Sequence, residues 1–329
     1  MAGNAERLMR IASSRRSPAI GLRQSRGAST TGQSVASSSG IGRLIEFARN
    51  LDLIQTISVL TLVSAIIFQF DHWLFRIVSG ICFLIFALRP SALRRPQFWF
   101  ALALAGTITI ILTWEQVDNH KYLLIYWTWV LFIVHLFRDA EQQKRILLFN
   151  ARFFLCLIFL AASAQKLSSP SYRSGEMFEH YLYVDPRFAA FGKLIGIDPE
   201  AGDAVTRQMH FLRSPFADVD GNDIHIQGSD RARVAAVAMT WWDLGLQLTI
   251  GALLLIRKPR SDEIAHVLLL FFIFTTYIPA PVFGFGWIVG IMGFTLAKDK
   301  FPRITAAYII CFFAILLYQL PWRDWVLRS

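Results

Sequence analysis

Apolar and polar positions along this chain come in blocks. Runs with few or no charges at 51–70, 73–88, 97–114, 122–137, 149–165, 234–256, 264–278, 282–297 and 304–320 are separated by charged segments. Such runs are within or just short of the roughly 20 residues that carry an α-helix across a bilayer. The pattern predicts an all-α polytopic membrane protein, a bundle of eight or nine transmembrane helices with one larger outer loop at 168–232. The count turns on Pro279-Ala280-Pro281 and Gly284-Phe285-Gly286, which either turn a hairpin or interrupt one long buried helix. Around this domain, at 50–321, lie a basic N-terminal tail, 1–45, and a short C-terminal tail, 322–329.

Composition agrees with the pattern. Hydrophobic residues make up 54% of the 329 positions, with 28 Phe and 10 Trp, and this excludes an ordinary soluble domain. The net charge of +10 would suit a nucleic-acid partner, but its distribution points to a bilayer instead. Arg43 and Arg49 precede the first run; Arg89, Arg94 and Arg95 follow the second; Arg138, Lys144 and Arg145 follow the fourth. Arg257, Lys258 and Arg260 follow the sixth, and Lys298, Lys300 and Arg303 the eighth. Every second loop is basic, which places these loops and the N-terminus in the cytoplasm. The segment 168–233 carries ten acidic residues against seven basic ones and is expected on the outer or lumenal face. The compartment this favours is a bacterial inner (plasma) membrane, with an organellar or endoplasmic reticulum membrane as the alternative for a eukaryotic source.

Residues 1–40 are rich in Ser, Arg, Gly and Ala with Glu6 as their one acid, a composition that cannot bury a core. A cytoplasmic tail and an organellar presequence share these features. Cys82, Cys156 and Cys311 all fall inside apolar runs with no CxxC spacing, so neither disulfides nor a metal is expected. Asp218-Val219-Asp220-Gly221-Asn222-Asp223 imitates a calcium loop, but Asp223 takes the place of the required glycine and Ser229 that of the bidentate glutamate. A polar turn is expected there. Tyr172, Tyr181, Tyr183, Phe188 and Phe191 predict short amphipathic helices at the start of the outer loop.

Candidate chemistry gathers at the outer ends of the runs. Lys166 closes the fifth run, and an ammonium at that depth is either a functional group or an anchor snorkelling to the headgroups. His120, opening the fourth run, arrives at the same level. Burial disfavours the charged form of an amine, which lets a lysine in a dry pocket act as a base while a histidine moves a proton in another step. Asp243, beside Trp241 and Trp242 in the sixth run, needs a partner, for which Arg152, Gln247 and Lys166 are candidates. His135 and His266 lie toward the cytoplasmic ends and are expected to be structural.

Three segments resemble the HTTM family, the horizontally transferred transmembrane domain of vitamin K-dependent gamma-carboxylase and its bacterial relatives. Asn119-His120-Lys121-Tyr122-Leu123 is similar to the family's N-H-x-Y-L segment. Ala161 to Leu167, with Lys166, Tyr172 and Gly175, is similar to its A-G-x-x-K-L segment. Trp242-Asp243-Leu244-Gly245-Leu246 followed by His266 is similar to its E-L-G-L span. Together they cover about residues 50–300 in the family's order.

The resemblance implies that Lys166 deprotonates a reduced quinone of the vitamin K or menaquinol type and that His120 handles the proton of a glutamyl carbanion. It implies Asp243 as an orienting carboxylate, with Asn119, Tyr122 and Trp242 at the cofactor. The partners would be the bilayer, a quinol and a secreted peptide substrate, with no nucleic acid. Ser163 stands for the family's glycine, Gln165 precedes the lysine, Asp243 stands for glutamate, and no large soluble region follows residue 321. These departures keep a second reading open: a non-enzymatic membrane accessory protein in the maturation or export of a secreted peptide.

Overall fold

The computed structural model describes residues 52–68, 72–197, 229–277 and 279–319, together with a few positions between 42 and 50. The N-terminal tail to residue 41, the calcium-like turn at 218–223 and the C-terminal tail lie outside the described residues. The chain divides between Ser38 and Ser39, and all described residues belong to the second part.

Every described element is helical. The long helices are α1 (Leu53–Ile67), α2 (Trp73–Leu88), α3 (Pro96–Thr113), α4 (Asn119–Leu136) and α5 (Ala140–Ser168). Three short ones follow, α6 (Pro170–Arg173), α7 (Glu176–Val184) and α8 (Ala189–Leu194), and then the long α9 (Asp230–Ile256), α10 (Pro259–Tyr277), α11 (Phe283–Ala297) and α12 (Pro302–Gln319). Four of them, α3, α5, α9 and α12, are long and apolar enough to cross a membrane, and α1, α2 and most of α11 are shorter apolar helices.

Local signals set the ends. Asp52, Asp139 and Ser229 cap α1, α5 and α9 by accepting from Gln55 N, Gln142 N and Ala232 N, satisfying backbone donors that have no partner inside the helix. Pro96 opens α3, where its missing N–H costs nothing. The Pro279-Ala280-Pro281 segment turns a hairpin. Phe272 of α10 meets Phe285 of α11 across its two arms, with ring centroids 6.3 Å apart, and at the far end Lys300 reaches Asp262 at 3.4 Å.

Helix α11 occupies the centre, touching α1, α4, α5, α10 and α12. Its residues from Gly286 to Lys298 are buried without interruption, as expected of a helix apolar all the way round. Trp287 fixes its rotation by donating from Nε1 to the Leu60 carbonyl at 3.0 Å. Helices α2 and α12 instead turn large apolar side chains outward, among them Leu84 at 58% and Phe313 at 61% exposure.

The histidines expected to be structural are packed in this core. His266 meets the Tyr308 hydroxyl at 3.1 Å, and His135 lies parallel to the Trp99 ring. The first part of the outer loop does form short helices. In them and just after, Leu182, Tyr183, Phe188 and Ile197 close a second apolar cluster with Ala232 and Ala236 of α9.

Candidate functional site

At one end of the bundle, Asp243 collects three donors. Lys166 of α5 forms an ion pair with its Oδ2. The Tyr172 hydroxyl of α6 donates to the same oxygen at 2.5 Å, and Gln247 Nε2 donates to Oδ1 at 2.8 Å. The Lys166 amine also donates to Gln247 Oε1 at 3.0 Å and lies 5.1 Å from the centre of the Tyr172 ring. Asp243 and Gln247 are one helical turn apart, so both face α5. The side chains of Lys166 and Asp243 are 21% and 17% exposed, and their pairing carries no net charge into this largely covered site. The amine is turned into the protein, onto Asp243 and Gln247 of α9.

Tyr172 owes its position to the turn after α5. Ser169 ends α5 and caps α6, accepting from Tyr172 N at 3.3 Å. Gly175 then adopts φ +86°, and a Cβ there would lie 2.9 Å from Val237 Cγ2 and 3.0 Å from Val237 N of α9. Only glycine allows both the left-handed backbone and this approach. Burial, and then the Asp243 carboxylate, push the Tyr172 hydroxyl well above the ordinary phenol range, so it stays a donor to Asp243.

His120 enters from the start of α4 and rests on the backbone of α11. A Cβ added at Gly284 would come within 2.6 Å of His120 Nε2. Lys166 and His120 line one cavity of about 740 Å³ together with Asn119, Gln165, Tyr172, Tyr181, Arg187 and Gln247, its apolar wall formed by Leu123, Ile158, Phe159 and Phe285. A second cavity of about 260 Å³ holds Asp243, Trp242, Phe272 and Thr275, and it shares Lys166, Tyr172 and Arg187 with the first. Lys166 therefore stands between the two spaces.

The sequence-predicted residues divide accordingly. Lys166, His120 and Asn119 line the larger cavity, and Asp243 and Trp242 the smaller. Tyr122 lines neither; its hydroxyl donates to the Trp114 carbonyl at 3.1 Å. Of the three candidate partners of Asp243, Lys166 and Gln247 both bind it. Arg152 instead pairs with Asp262 through two bonds of 2.7 Å and also donates to the Leu254 carbonyl, at the opposite end of the bundle.

Arg187 is the site residue that sequence reasoning missed. It lies in the short Pro186–Phe188 turn and contacts both cavities while bonded to Asp185. Burial alone would raise the Asp185 carboxyl, but the Arg187 hydrogen bonds and charge outweigh it and hold the group below the usual carboxylate range. Asp185-Pro186-Arg187 carries a helix-capping signal but nothing in its local sequence that points toward Lys166.

An amine, an imidazole and a phenol thus line the larger cavity, which is large enough for a ring-sized ligand, and a carboxylate is bonded to the amine and the phenol from the smaller one. Such a set can accept a proton from a bound hydroxyl, hold it and pass it on. Compared with known protein families, curated proteins and solved structures, the chain has no match.

Proposed function

We propose that this chain is a membrane protein, that the nine long helices among its described residues each cross the bilayer, and that its Lys166 cavity takes a lipidic quinol and removes a proton from it. The observation that carries the reading is that Lys166 and His120 line the same cavity. The charge alternation of the loops supports an outer or lumenal position for that cavity and a cytoplasmic N-terminus. Outward-facing apolar side chains on α2 and α12 support lipid contact.

The cavity fits the group. Its volume of about 740 Å³ lies within the range of small-molecule sites, and apolar walls with a few convergent polar groups are the usual lining. A bound quinol would supply an ionisable hydroxyl and, with oxygen, the strong base that the HTTM resemblance implies for glutamyl carboxylation. Lys166 Nζ is the proton acceptor. Asp243 orients it and first takes a proton from its ammonium; the neutral amine then takes one from the quinol hydroxyl, leaving the quinolate, and Asp243 releases its proton to water, which restores the ion pair. Tyr172 and Gln247 hold the carboxylate in place. His120, across the same space, moves a second proton, and Gly284 sets its reach.

The test is made on reconstituted protein with a menaquinol-type quinol. Saturable quinol binding and oxygen uptake that are lost in Lys166→Ala support the reading. Binding indifferent to Lys166→Ala, with no oxygen uptake above empty vesicles, overturns it.

A further inference from the structure

The opposite end of the bundle carries a separate cavity of about 360 Å³ between α5, α9, α10 and the end of α11. Its wall holds Arg152, Arg257 and Lys300 with one carboxylate, Asp262. Arg152 and Asp262 satisfy each other, with side-chain exposures of 15% and 3%, and form the fixed floor. Two cations remain above this neutral pair. Lys300 touches Asp262 only at 3.4 Å and keeps 56% of its side chain exposed. Arg257, at the tight turn between α9 and α10 with φ 56°, is exposed and has no hydrogen-bond or ion-pair partner among the described residues. Beside these cations the wall continues into apolar side chains that nothing covers, Phe149 at 61% and Leu255 at 56% exposure.

Cations over a closed ion pair, next to bare aromatic and aliphatic surface, match a ligand with an anionic head and an apolar tail. We infer that this cavity is a binding site for an anionic glycerophospholipid, with the phosphate at Arg257 and Lys300 and an acyl chain along Phe149 and Leu255. A guanidinium presents several donors in the plane that phosphate oxygens accept from, and an ammonium adds a point charge. The inference rests on membrane insertion but not on the quinol chemistry, because no residue is shared with the Lys166 cavities.

Native mass spectrometry of the full chain in detergent, with phosphatidylglycerol, phosphatidylcholine or inorganic phosphate added separately, tests it. Phosphatidylglycerol should remain bound under activation that strips phosphatidylcholine. Arg257→Ala and Lys300→Ala should each weaken it about three- to tenfold, whereas Arg138→Ala, an exposed arginine outside the cavity, should not. Lys166→Ala should leave this lipid bound, so that failure of the quinol reading and failure of this one are separate results. Equal retention of the two lipids, an equal effect of Arg138→Ala, or occupancy by inorganic phosphate without preference for the lipid would each overturn the inference.

Discussion

Replacing Lys166 by methionine keeps most of the side-chain volume and takes from Asp243 its charged donor. Asp243 then retains two neutral donors, the Tyr172 hydroxyl at 2.5 Å and Gln247 Nε2 at 2.8 Å, in a site where its side chain is 17% exposed. Removing one partner of a buried ion pair costs about 3–5 kcal/mol, and the residual exposure puts Lys166→Met near the lower figure, about 3 kcal/mol. Asp243→Asn keeps the shape and strands the ammonium with Gln247 Oε1 at 3.0 Å, for a similar cost. The double variant leaves no charge to strand, so its loss should be much smaller than the sum of the two, a coupling of about 2 kcal/mol or more. Thermal or denaturant unfolding of the three variants in one detergent measures this. Strict additivity would refute the claim that Lys166 is held in the protein by Asp243.

Three other expectations follow from particular contacts. Gly284→Ala pushes a methyl group to within 2.6 Å of His120 Nε2; overpacking of this kind costs about 1–3 kcal/mol, and ligand binding in the larger cavity should weaken while helix content by circular dichroism is kept. Arg152→Ala leaves Asp262, whose side chain is 3% exposed, with only the Lys300 contact, and should lower stability by about 3–5 kcal/mol in the same unfolding assay. Asp185 has a folded pKa below its ordinary 3.8, so its contribution is fully present above that value and lost as pH falls through the lowered one. A ligand-binding titration should therefore show no Asp185→Asn-sensitive step above pH 3.8 and a step only below it.

The nine apolar blocks and the nine long helices among the described residues correspond closely, because burial selects the same residue types that block patterning detects. The helix starts were less legible. Helix α5 begins at Ala140 and α10 at Pro259, several residues before their apolar runs, because polar first turns carry a cap signal and no hydropathy signal. That Lys166, His120 and Asp243 lie toward one end of the bundle was legible from their places in their runs. Rotation about the helix axes was not, since it depends on how α5 and α9 pack. Arg152 stood among the partners for Asp243, yet fourteen residues separate it from Lys166 on α5. At 1.5 Å per residue this is about 21 Å, which by itself puts Arg152 at the other end. Tyr172 was legible as an interfacial aromatic and as the aromatic that follows the Lys166 segment; its 3% exposure and its bond to Asp243 depend on the Gly175 turn against α9.

The central claim is that Lys166 and His120 face one cavity that receives a lipidic quinol. Photolabelling of the reconstituted protein with an azido-quinone, followed by peptide mapping, tests it most directly. The account predicts labels within residues 118–123 and 158–187, suppressed by excess unlabelled quinol and by Lys166→Ala. Labels confined to the outward faces of α2 and α12, unaffected by either treatment, would contradict it.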